Sequence, residues 1–363
     1  MKIAIVQGTR PEIIKNYSIV KALQKQDVPF LVLHTNQHTE SKMRDEIYHD
    51  MGYRPNDVLD KEYSLGTAID WLQKSYKKHK INHVLVNGDT TASLAGALAA
   101  QYSDIPVTHV EAGLRSRDIH MLEERNRIMV DAIASLLFAY TNFEKELLSS
   151  TPDIRGNVLV EGNTTIDVIS DFQHKFTQKP LSSEYIFVTL HRRELTDSEE
   201  RMQCVVNTLN EISNTICDVI FPVHPRTMDA ISRYQLIPKL NSSIQIIEPL
   251  TPLEALGYQK HAAAILTDSG CIQEEAYILN IPCITLRENT ERHLTISHGA
   301  NRLSGFNQRK IITLIHRALN QKNRNWPLIY GKPGVGERIV QNITDYMHGN
   351  VEKSVTHLQS SCL

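Results

Sequence analysis

The sequence predicts two doubly wound α/β domains joined by a polar linker. Short runs rich in β-branched residues alternate with helical segments along most of the 363 residues, which is typical of parallel strands covered by helices on both faces. A polar passage, Asp171–Ser183, interrupts this alternation, which then restarts. The chain is long enough for two domains of ordinary size, so we interpret the polar passage as the boundary between them.

The first half of the chain begins with a strand and a helix, and Pro11 suits the first turn of that helix. The other elements follow from the same change between short apolar runs and helical segments. The predicted strands are Lys2–Val6, Phe30–His34, His83–Val86, Pro106–Val110, Leu137–Tyr140 and Val158–Val160. The predicted helices are Pro11–Gln24, further stretches that continue to about Lys80, Thr91–Tyr102, and a helix from about Glu123.

The second half shows the same alternation and no internal repeat of fixed period, so it predicts a second doubly wound domain. The predicted strands are Tyr185–Leu190, Asp218–Val223, Ile244–Ile247, Ala262–Leu266 and Pro282–Leu286. The predicted helices are Ser198–Asn214, Thr227–Tyr234, one near Leu253–Tyr258, Ile272–Leu279, Gln308–Asn320 and, before a polar tail, about Glu337–Met347.

Composition and charge exclude several classes of protein. The net charge of −2 argues against a general nucleic-acid binder, which would have a basic excess. No apolar run approaches the roughly 18 residues of a membrane span, and Met1–Gly8 reads as a strand, not as a signal peptide. The five cysteines lack CxxC spacing and are odd in number, which is typical of reduced thiols. We therefore expect a cytoplasmic protein without a nucleic-acid or membrane partner.

The common cofactor motifs are absent from the sequence. The glycines at 334 and 336 follow no predicted strand and lack the third glycine of a dinucleotide fingerprint. The sequence has no P-loop lysine motif, no HExxH spacing and no GxSxG. We therefore expect chemistry that needs no cofactor, neither nicotinamide nor ATP, and no metal such as zinc.

A carboxylate, Glu111, directly follows the fourth predicted strand. Burial disfavours the charged form of a carboxyl group, so a carboxylate at this position needs a partner or a function. One explanation is a structural ion pair with Arg115 or Arg127, and the other is acid–base chemistry. Two more carboxylates, Glu123 and Glu124, open the next helix.

Two further strand ends in the first half carry polar residues, and ligands of such sheets bind beyond the carboxyl ends of the strands. Gly88 permits a tight turn, and Asp89 then either caps the following helix, which is the commoner role, or points into the cleft. Arg10 and Lys15 lie at the same end of the first helix, so both can reach an anion.

In the second half, His191 follows a strand and precedes two arginines and Glu194. A single histidine at a strand end is usually structural, but cationic neighbours favour its neutral form, which makes His191 an acid–base candidate. Ser269 and Gly270 form a small-residue turn before a helix, where backbone N–H groups and the helix dipole suit a phosphate or diphosphate. The alternative is that Ser269 is an ordinary N-cap.

The polar motifs occur in a fixed order from residue 1 to about residue 345. They are GTRPEIIK (8–15), NGDTTAS (87–93), HVEAGLRS (109–116), EERNR (123–127), EGNTTID (161–167), HRRE (191–194), PVH (222–224), TDSGCIQEEA (267–276) and RENTER (287–292). As a set they resemble the non-hydrolysing UDP-N-acetylglucosamine 2-epimerases. The hydrolysing epimerases differ in the first motif and lack the HVEAG stretch.

The resemblance implies two Rossmann-like domains in a GT-B arrangement, with the active site in the interdomain cleft. The first would occupy residues 1–170 and the second, which binds UDP, residues 183–335. A final helix within residues 336–363 would cross back to the first domain and precede the tail. Members of the family are usually homodimers, so we expect a homodimer whose only other partner is a UDP-sugar.

The resemblance also implies a reaction, the inversion of C2 that converts UDP-GlcNAc to UDP-ManNAc for cell-surface polysaccharide synthesis. It proceeds by loss of UDP and the C2 proton to an unsaturated acetamidoglucal, followed by re-addition of UDP, and it therefore needs acid–base groups around the sugar. The catalytic candidates at matching positions are Asp89, Glu111, Glu123 and His191. The substrate-binding candidates are Arg10, Lys15, Ser269, Gly270, Cys271 through its backbone N–H, Glu275 through ribose hydroxyls, and Arg292.

The sequence departs from the family pattern near the expected uracil pocket. Pro252 and Ala255 stand where the family usually has aromatic residues, and Tyr258 is the neighbouring residue that could stack on a base instead. Outside that pocket, Leu122 and His293 each replace a proline of the family, and Cys271 replaces a glycine.

Three alternative functions remain open from the sequence. A GT-B glycosyltransferase would share the architecture and the diphosphate site, but it offers no reason for the carboxylates Asp89, Glu111 and Glu123. A non-catalytic nucleotide-sugar binder would account for the altered positions. An epimerase of a modified UDP-sugar, such as a diacetamido uronic acid, would use the same residues on a different sugar.

Overall fold

The computed structural model describes residues 1–37, 41–176, 181, 183–321 and 324–350, without the side chains of residues 41–43. The chain divides into two compact units. The first comprises Met1–Ser170 and the described chain from Ile329 onward, and the second comprises Asp171–Leu328. Part of the predicted linker is helical, because a 3-10 turn at Gln173–Phe176 follows the helix that ends at Phe172. Residues 177–180 and 182 of that linker lie outside the described residues.

The first unit contains a seven-stranded parallel sheet in the order β3-β2-β1-β4-β5-β6-β7. Its first strand pairs with β2 on one side and β4 on the other, so the strand order reverses at β1, where ligands of such sheets bind. The strands are β1 Ile3–Gln7, β2 Phe30–His34, β3 Asp57–Val58, β4 His83–Asn87, β5 Val107–Ala112, β6 Leu136–Ala139 and β7 Asn157–Val160.

The predicted helices of the first unit begin and end close to the observed ones, with one division, but the helices Asn142–Ser149 and Thr165–Phe172 and the two-residue strand β3 were not predicted. The predicted helix Pro11–Gln24 is two helices separated at Asn16, whose buried side-chain amide donates to Gln7 at 2.9 Å and accepts from Asn87 at 3.0 Å. The helices are α1 Arg10–Lys15, α2 Tyr17–Lys25, α3 Ser41–Met51, α4 Leu65–His79, α5 Thr91–Gln101, α6 Leu122–Ile133, α7 Asn142–Ser149 and α8 Thr165–Phe172.

The last helix, Val335–Met347, packs against α2 and so belongs to the first unit. Its first turn is anchored by Asp167, whose carboxylate accepts the backbone N–H groups of Gly334 at 2.6 Å and of Gly336 at 2.8 Å. A carboxylate at a helix N-terminus satisfies N–H groups that have no partner within the helix.

The second unit contains a six-stranded parallel sheet in the order β10-β9-β8-β11-β12-β13. The sequence did not predict β13, which is only three residues long and contains two polar side chains. The strands are β8 Tyr185–Thr189, β9 Asp218–Pro222, β10 Ile244–Ile247, β11 Ala264–Thr267, β12 Cys283–Thr285 and β13 Asn301–Leu303.

The helices of the second unit cover this sheet, and a core of valine, leucine and isoleucine side chains lies between them and the strands. Two helices were not predicted because they are only four and five residues long. The helices are α9 Arg193–Thr196, α10 Glu199–Thr215, α11 Pro225–Arg233, α12 Pro252–His261, α13 Gly270–Ile278, α14 His293–Ser297 and α15 Gln308–Leu319. Across the described ranges, no helix is long and apolar enough to span a membrane.

Candidate active site

Glu111 lies at an irregularity near the end of β5. The register between β5 and β6 shifts between Val110 and Ala112, and Glu111 has φ of +72°, a conformation that residues other than glycine seldom adopt. Its buried carboxylate forms an ion pair with Lys15 on α1 and accepts a hydrogen bond from the hydroxyl of Tyr140 at 2.9 Å. Backbone strain of this kind accumulates at functional sites, which makes Glu111 the strongest catalytic candidate of the first unit.

The cation that pairs with Glu111 is therefore Lys15, and the two arginines considered from the sequence pair with other carboxylates. Arg115 lies 2.7 Å from Asp131, and Arg127 pairs with Asp89 and Glu124. Lys15 is buried, and its ion pair with Glu111 places it beside a candidate acid–base group. Arg10, the other cation of this motif, is half-buried at the start of α1, whereas Lys15 is the last residue of α1, so the prediction that both lie at the same end of the helix is wrong.

Asp89 does not cap α5, so the commoner of its two predicted roles is wrong. The N-cap is Thr90, whose hydroxyl accepts the backbone N–H of Ser93 at 3.1 Å. The carboxylate of Asp89 instead pairs with the guanidinium of Arg127, and the side chain remains 21% exposed. Thr90 displaces Asp89 because it is the residue immediately before the first helical turn, where a hydroxyl reaches the N–H groups.

The paired glutamates at the start of α6 have different environments. The buried carboxylate of Glu124 accepts the backbone N–H groups of Ser116 at 2.8 Å and Arg117 at 3.0 Å, and it also pairs with Arg127. Glu123 is half-buried and forms no side-chain hydrogen bond or ion pair with any residue that the structure describes. Glu124 thus holds the loop after β5, which leaves Glu123 as the acid–base candidate of this pair.

A further buried carboxylate, Glu12, was missed by the sequence argument. It accepts the backbone N–H groups of Gly8 and Thr9, each at 2.8 Å, and the hydroxyls of Thr90 at 2.6 Å and Ser93 at 2.9 Å. Burial raises the pKa of Glu12, and these hydrogen bonds oppose that rise. Glu12 joins the loop after β1 to the loop after β4. The T-x-x-E pattern of Thr9 and Glu12 is a capping-box signal that could have revealed it.

In the second unit, His191 is positioned by a carboxylate. Asp268, at the end of β11, accepts the backbone N–H groups of His191 at 3.0 Å and Arg192 at 2.9 Å. The Nδ1 atom of His191 lies 3.5 Å from the Asp268 carboxylate, and 36% of the His191 side chain is exposed. The sequence argument considered Glu194 and two arginines as neighbours of His191, and it did not identify Asp268 as a partner. The structure adds an anionic one and leaves the ring accessible to a ligand.

The N-terminus of α13, where the sequence predicts an anion site, begins at Ser269 and Gly270. Ser269 occupies the N-cap position, but its hydroxyl makes no capping hydrogen bond, so the ordinary N-cap role is wrong. A side chain at Gly270 would place its Cβ 2.9 Å from Glu291 and 3.1 Å from Arg292, which explains the need for glycine. Cys271 follows, half-buried, in the first helical turn.

Arg292 belongs to a buried cluster of charges. Its Nε donates to Glu274 at 2.7 Å, and its Nη1 pairs with Glu291. Glu291 also accepts from Arg287 at 3.0 Å. Burial lowers the pKa of Arg287, and Glu291 opposes that change. The sequence did not predict Glu274 and Glu291 as partners of Arg292. They hold its guanidinium in a fixed orientation, which is the arrangement that favours binding of a charged ligand.

Glu275 and the loop of the expected uracil pocket lie on α13 and α12. The side-chain amide of Gln259 donates to Glu275 at 2.6 Å and so orients it. The ring of Tyr258 stacks on Phe187 with 6.2 Å between centroids, so one of its faces is already covered. Ala255 packs against the apolar cluster that contains these rings. That Tyr258 stacks on the uracil in place of the aromatic residues of the family stays a prediction.

Comparison with known proteins gives a consistent result. A family model described as UDP-N-acetylglucosamine 2-epimerase matches residues 21–344. The UDP-N-acetylglucosamine 2-epimerase of Methanocaldococcus jannaschii is 41% identical over 365 residues, which cover 95% of this chain and 99% of that protein. The UDP-2,3-diacetamido-2,3-dideoxy-D-glucuronate 2-epimerase of Pseudomonas aeruginosa is 33% identical, with coverage of 94% and 99%.

The fold is also similar to that of solved structures. The crystal structure of the Methanocaldococcus jannaschii UDP-GlcNAc 2-epimerase in complex with UDP-GlcNAc and UDP matches with a TM-score of 0.88 at 40% identity. The match covers 95% of this chain and 99% of that chain. The predicted fold class is therefore confirmed, and the chain belongs to the family of non-hydrolysing UDP-N-acetylglucosamine 2-epimerases.

Proposed function

We propose that this protein converts UDP-GlcNAc to UDP-ManNAc by epimerisation at C2, without net hydrolysis. The observation that carries the proposal is Glu111, a buried carboxylate on a strained backbone, paired with Lys15 in a chain that belongs to this family. The 41% identity to an enzyme of that name favours the unmodified sugar over the diacetamido uronic acid of the more distant relative.

The chemistry assigns different work to the groups of the first unit. A base removes the C2 proton while the bond between C1 and the UDP oxygen breaks, which leaves UDP and an acetamidoglucal. UDP then adds back to C1, and an acid delivers a proton to the opposite face of C2. Asp89, Glu111 and Glu123 are our candidates for these transfers. Lys15 compensates the charge of Glu111, so we assign it to the acid–base group as well, and its contact with the diphosphate stays a prediction.

The second unit supplies groups suited to the nucleotide. The N-terminus of α13 offers backbone N–H groups at Gly270 and Cys271 and the hydroxyl of Ser269, and Arg292 offers a preorganised guanidinium. The Glu275 carboxylate would accept hydrogen bonds from the ribose hydroxyls. We also assign Arg10 of the first unit to the diphosphate. His191 has a ring that is positioned by Asp268 and accessible, so we assign it to protonation of the departing phosphate or of the sugar.

Proton NMR in D2O tests this function with UDP-GlcNAc as the only substrate. We expect UDP-ManNAc to form and deuterium to enter C2 of both sugars. A glycosyltransferase would produce no epimer in the absence of an acceptor. A nucleotide-sugar binder would bind UDP and exchange no C2 proton. Either result would contradict the proposal. The expected cytoplasmic location and the role in polysaccharide synthesis stay predictions.

We also propose that the protein is a homodimer that uses the exposed face of α6. Along this face, Leu122 is 51% exposed, Met129 is 42% exposed, and Ile128 lies between them. Phe143 on α7 is exposed as well. Leu122 and Met129 are seven residues apart and therefore lie on one side of α6, and exposed apolar residues that share a helix face favour an interaction surface. Light scattering should give the mass of a dimer for the native protein and of a monomer for Met129→Glu, and a native monomer would refute the proposal.

A further inference from the structure

The buried side of α6 carries polar residues that contact the loop on which Asp89 lies and the loop that follows Glu111 and the end of β5. Glu124 binds the loop after β5, as described above. Asn126 donates to the backbone carbonyl of Asp89 at 2.9 Å, and Arg127 pairs with the Asp89 carboxylate. Buried polar groups are costly unless their hydrogen bonds are satisfied, so a helix face of this composition indicates a specific role.

The fourth of these residues, Asp131, forms a buried pair with His109 of β5. Neither side chain is exposed to solvent. The Nδ1 atom of His109 lies 2.7 Å from Asp131 Oδ1, and its Nε2 atom lies 3.0 Å from the carbonyl oxygen of Gly88. The other oxygen of Asp131 accepts from the backbone N–H of Gly113 at 3.2 Å. The pair thus connects the residue before Asp89 to a residue just beyond Glu111.

Hydrogen-bond chemistry determines which atoms of this pair donate. A carbonyl oxygen can only accept, so Nε2 of His109 must carry a proton. Burial alone would raise the pKa of Asp131, but His109 and Arg115 outweigh burial and lower it, so the carboxylate is ionised and can only accept. Nδ1 must therefore carry a proton as well. His109 donates from both nitrogens, and each donation holds a different segment.

We propose that His109 and Asp131 are positioning residues that fix Asp89 and Glu111 relative to each other. The need for such a device follows from the backbone at Glu111, which has φ of +72° although it is not a glycine. Such conformations persist only where the surrounding contacts over-determine them. The hydrogen bond to the Gly88 carbonyl and the hydrogen bond to the Gly113 amide supply those contacts. The role of the pair in turnover rests on the proposed epimerase function.

A matched pair of substitutions at position 109 separates positioning from general stability. In His109→Gln, the side-chain amide nitrogen can replace Nε2 and still donate to Gly88, while Asp131 still accepts from Gly113 and pairs with Arg115. In His109→Asn, the amide nitrogen replaces Nδ1, so the bond to Asp131 remains and the bond to Gly88 is lost. We expect His109→Gln to keep kcat within several-fold. We expect His109→Asn to lose kcat on the order of 100-fold with KM almost unchanged, because small misplacements of catalytic groups have effects of that size.

Equal kcat values in the two folded variants would overturn the proposal, as would a loss of kcat that follows thermal stability. If neither variant folds, Asp131→Asn and Asp131→Ala provide the test. The Asn oxygen can accept from Gly113 while its nitrogen donates to Nδ1 of a neutral His109, so this variant should keep kcat within several-fold. Asp131→Ala removes the acceptor of both the Gly113 amide and Nδ1 of His109, so it should lose kcat on the order of 100-fold. Equal kcat values in these two variants would also overturn the proposal.

Hydrogen–deuterium exchange gives a readout that does not depend on activity. His109→Asn should speed exchange in peptides that span residues 87–93, and His109→Gln should not. Equal exchange in the two variants would overturn the positioning role. A native protein that leaves UDP-GlcNAc unchanged but shows the expected difference in exchange would refute the proposed function alone.

Discussion

Replacement of Arg292 by alanine should reduce both the stability of the protein and its affinity for UDP. The Arg292 side chain is only 3% exposed, and it pairs with Glu274 and Glu291. Alanine would leave both carboxylates buried without this cation. Removal of one partner from a buried ion pair costs about 3–5 kcal/mol, so the free energy of unfolding of Arg292→Ala, measured in urea, should fall by about that amount.

The affinity change can be measured separately from this loss of stability. A charge-assisted hydrogen bond to the diphosphate is worth about 1.5–3 kcal/mol, which corresponds to a roughly 10- to 150-fold increase in the Kd for UDP. Calorimetric titration at a temperature where the variant is fully folded measures this Kd. Arg292→Lys is the matched control. Lysine keeps the positive charge that compensates the buried carboxylates, but it lacks the planar guanidinium fork that suits a diphosphate. This variant should therefore recover more stability than affinity.

Two results would refute this reasoning. An unchanged Kd for UDP in folded Arg292→Ala would show that Arg292 only neutralises the buried carboxylates, and the diphosphate assignment would be wrong. An unchanged free energy of unfolding would show that Glu274 and Glu291 find other partners, and the ion-pair argument would fail.

Four other predictions address the remaining groups. Glu111→Gln and Glu123→Gln should each lower kcat by about 10²–10⁴-fold with little change in UDP affinity, and near-normal turnover in either variant would make that residue structural. His191→Asn should lower kcat while calorimetry shows nearly unchanged UDP binding, and a loss confined to binding would contradict its catalytic role. Ala255→Phe should change the affinity for UDP and the preference for UDP over CDP, because stacking is worth about 1–3 kcal/mol per base. No change in either quantity would show that the loop around Ala255 is wrongly assigned to the uracil pocket. The pKa of Asp131 is lowered, so its ionised form stabilises the fold above the unfolded-state pKa, and this stabilisation is lost as pH falls through the lowered pKa. The free energies of unfolding of the native protein and Asp131→Asn, measured in urea, should therefore converge below about pH 4. A difference between them that stays constant with pH would contradict the ion pair.

The sequence alone located the candidate residues but not their partners. Glu111 and Asp89 were identified because both follow apolar strands, and strand ends are where ligands of parallel sheets bind. Lys15 lies 96 residues from Glu111 in the chain, and no local pattern indicates that these two side chains meet. Asp131 was missed for the same reason, since His109 and Arg115 come from β5 and the loop after it. Glu12 has a local capping-box signal, but no local pattern indicates its contacts with Thr90 and Ser93.

The sequence by itself determined the α/β class, the order of most strands and helices, and the family. These features depend on the local period of apolar residues and on motifs within short segments. The tertiary structure decided which cation meets which carboxylate, why Thr90 and not Asp89 caps α5, and which of the two glutamates that open α6 is left for a ligand. Those outcomes depend on burial and on distances of a few ångströms between segments far apart in the chain, because the strength of an ion pair or hydrogen bond is set by geometry in space.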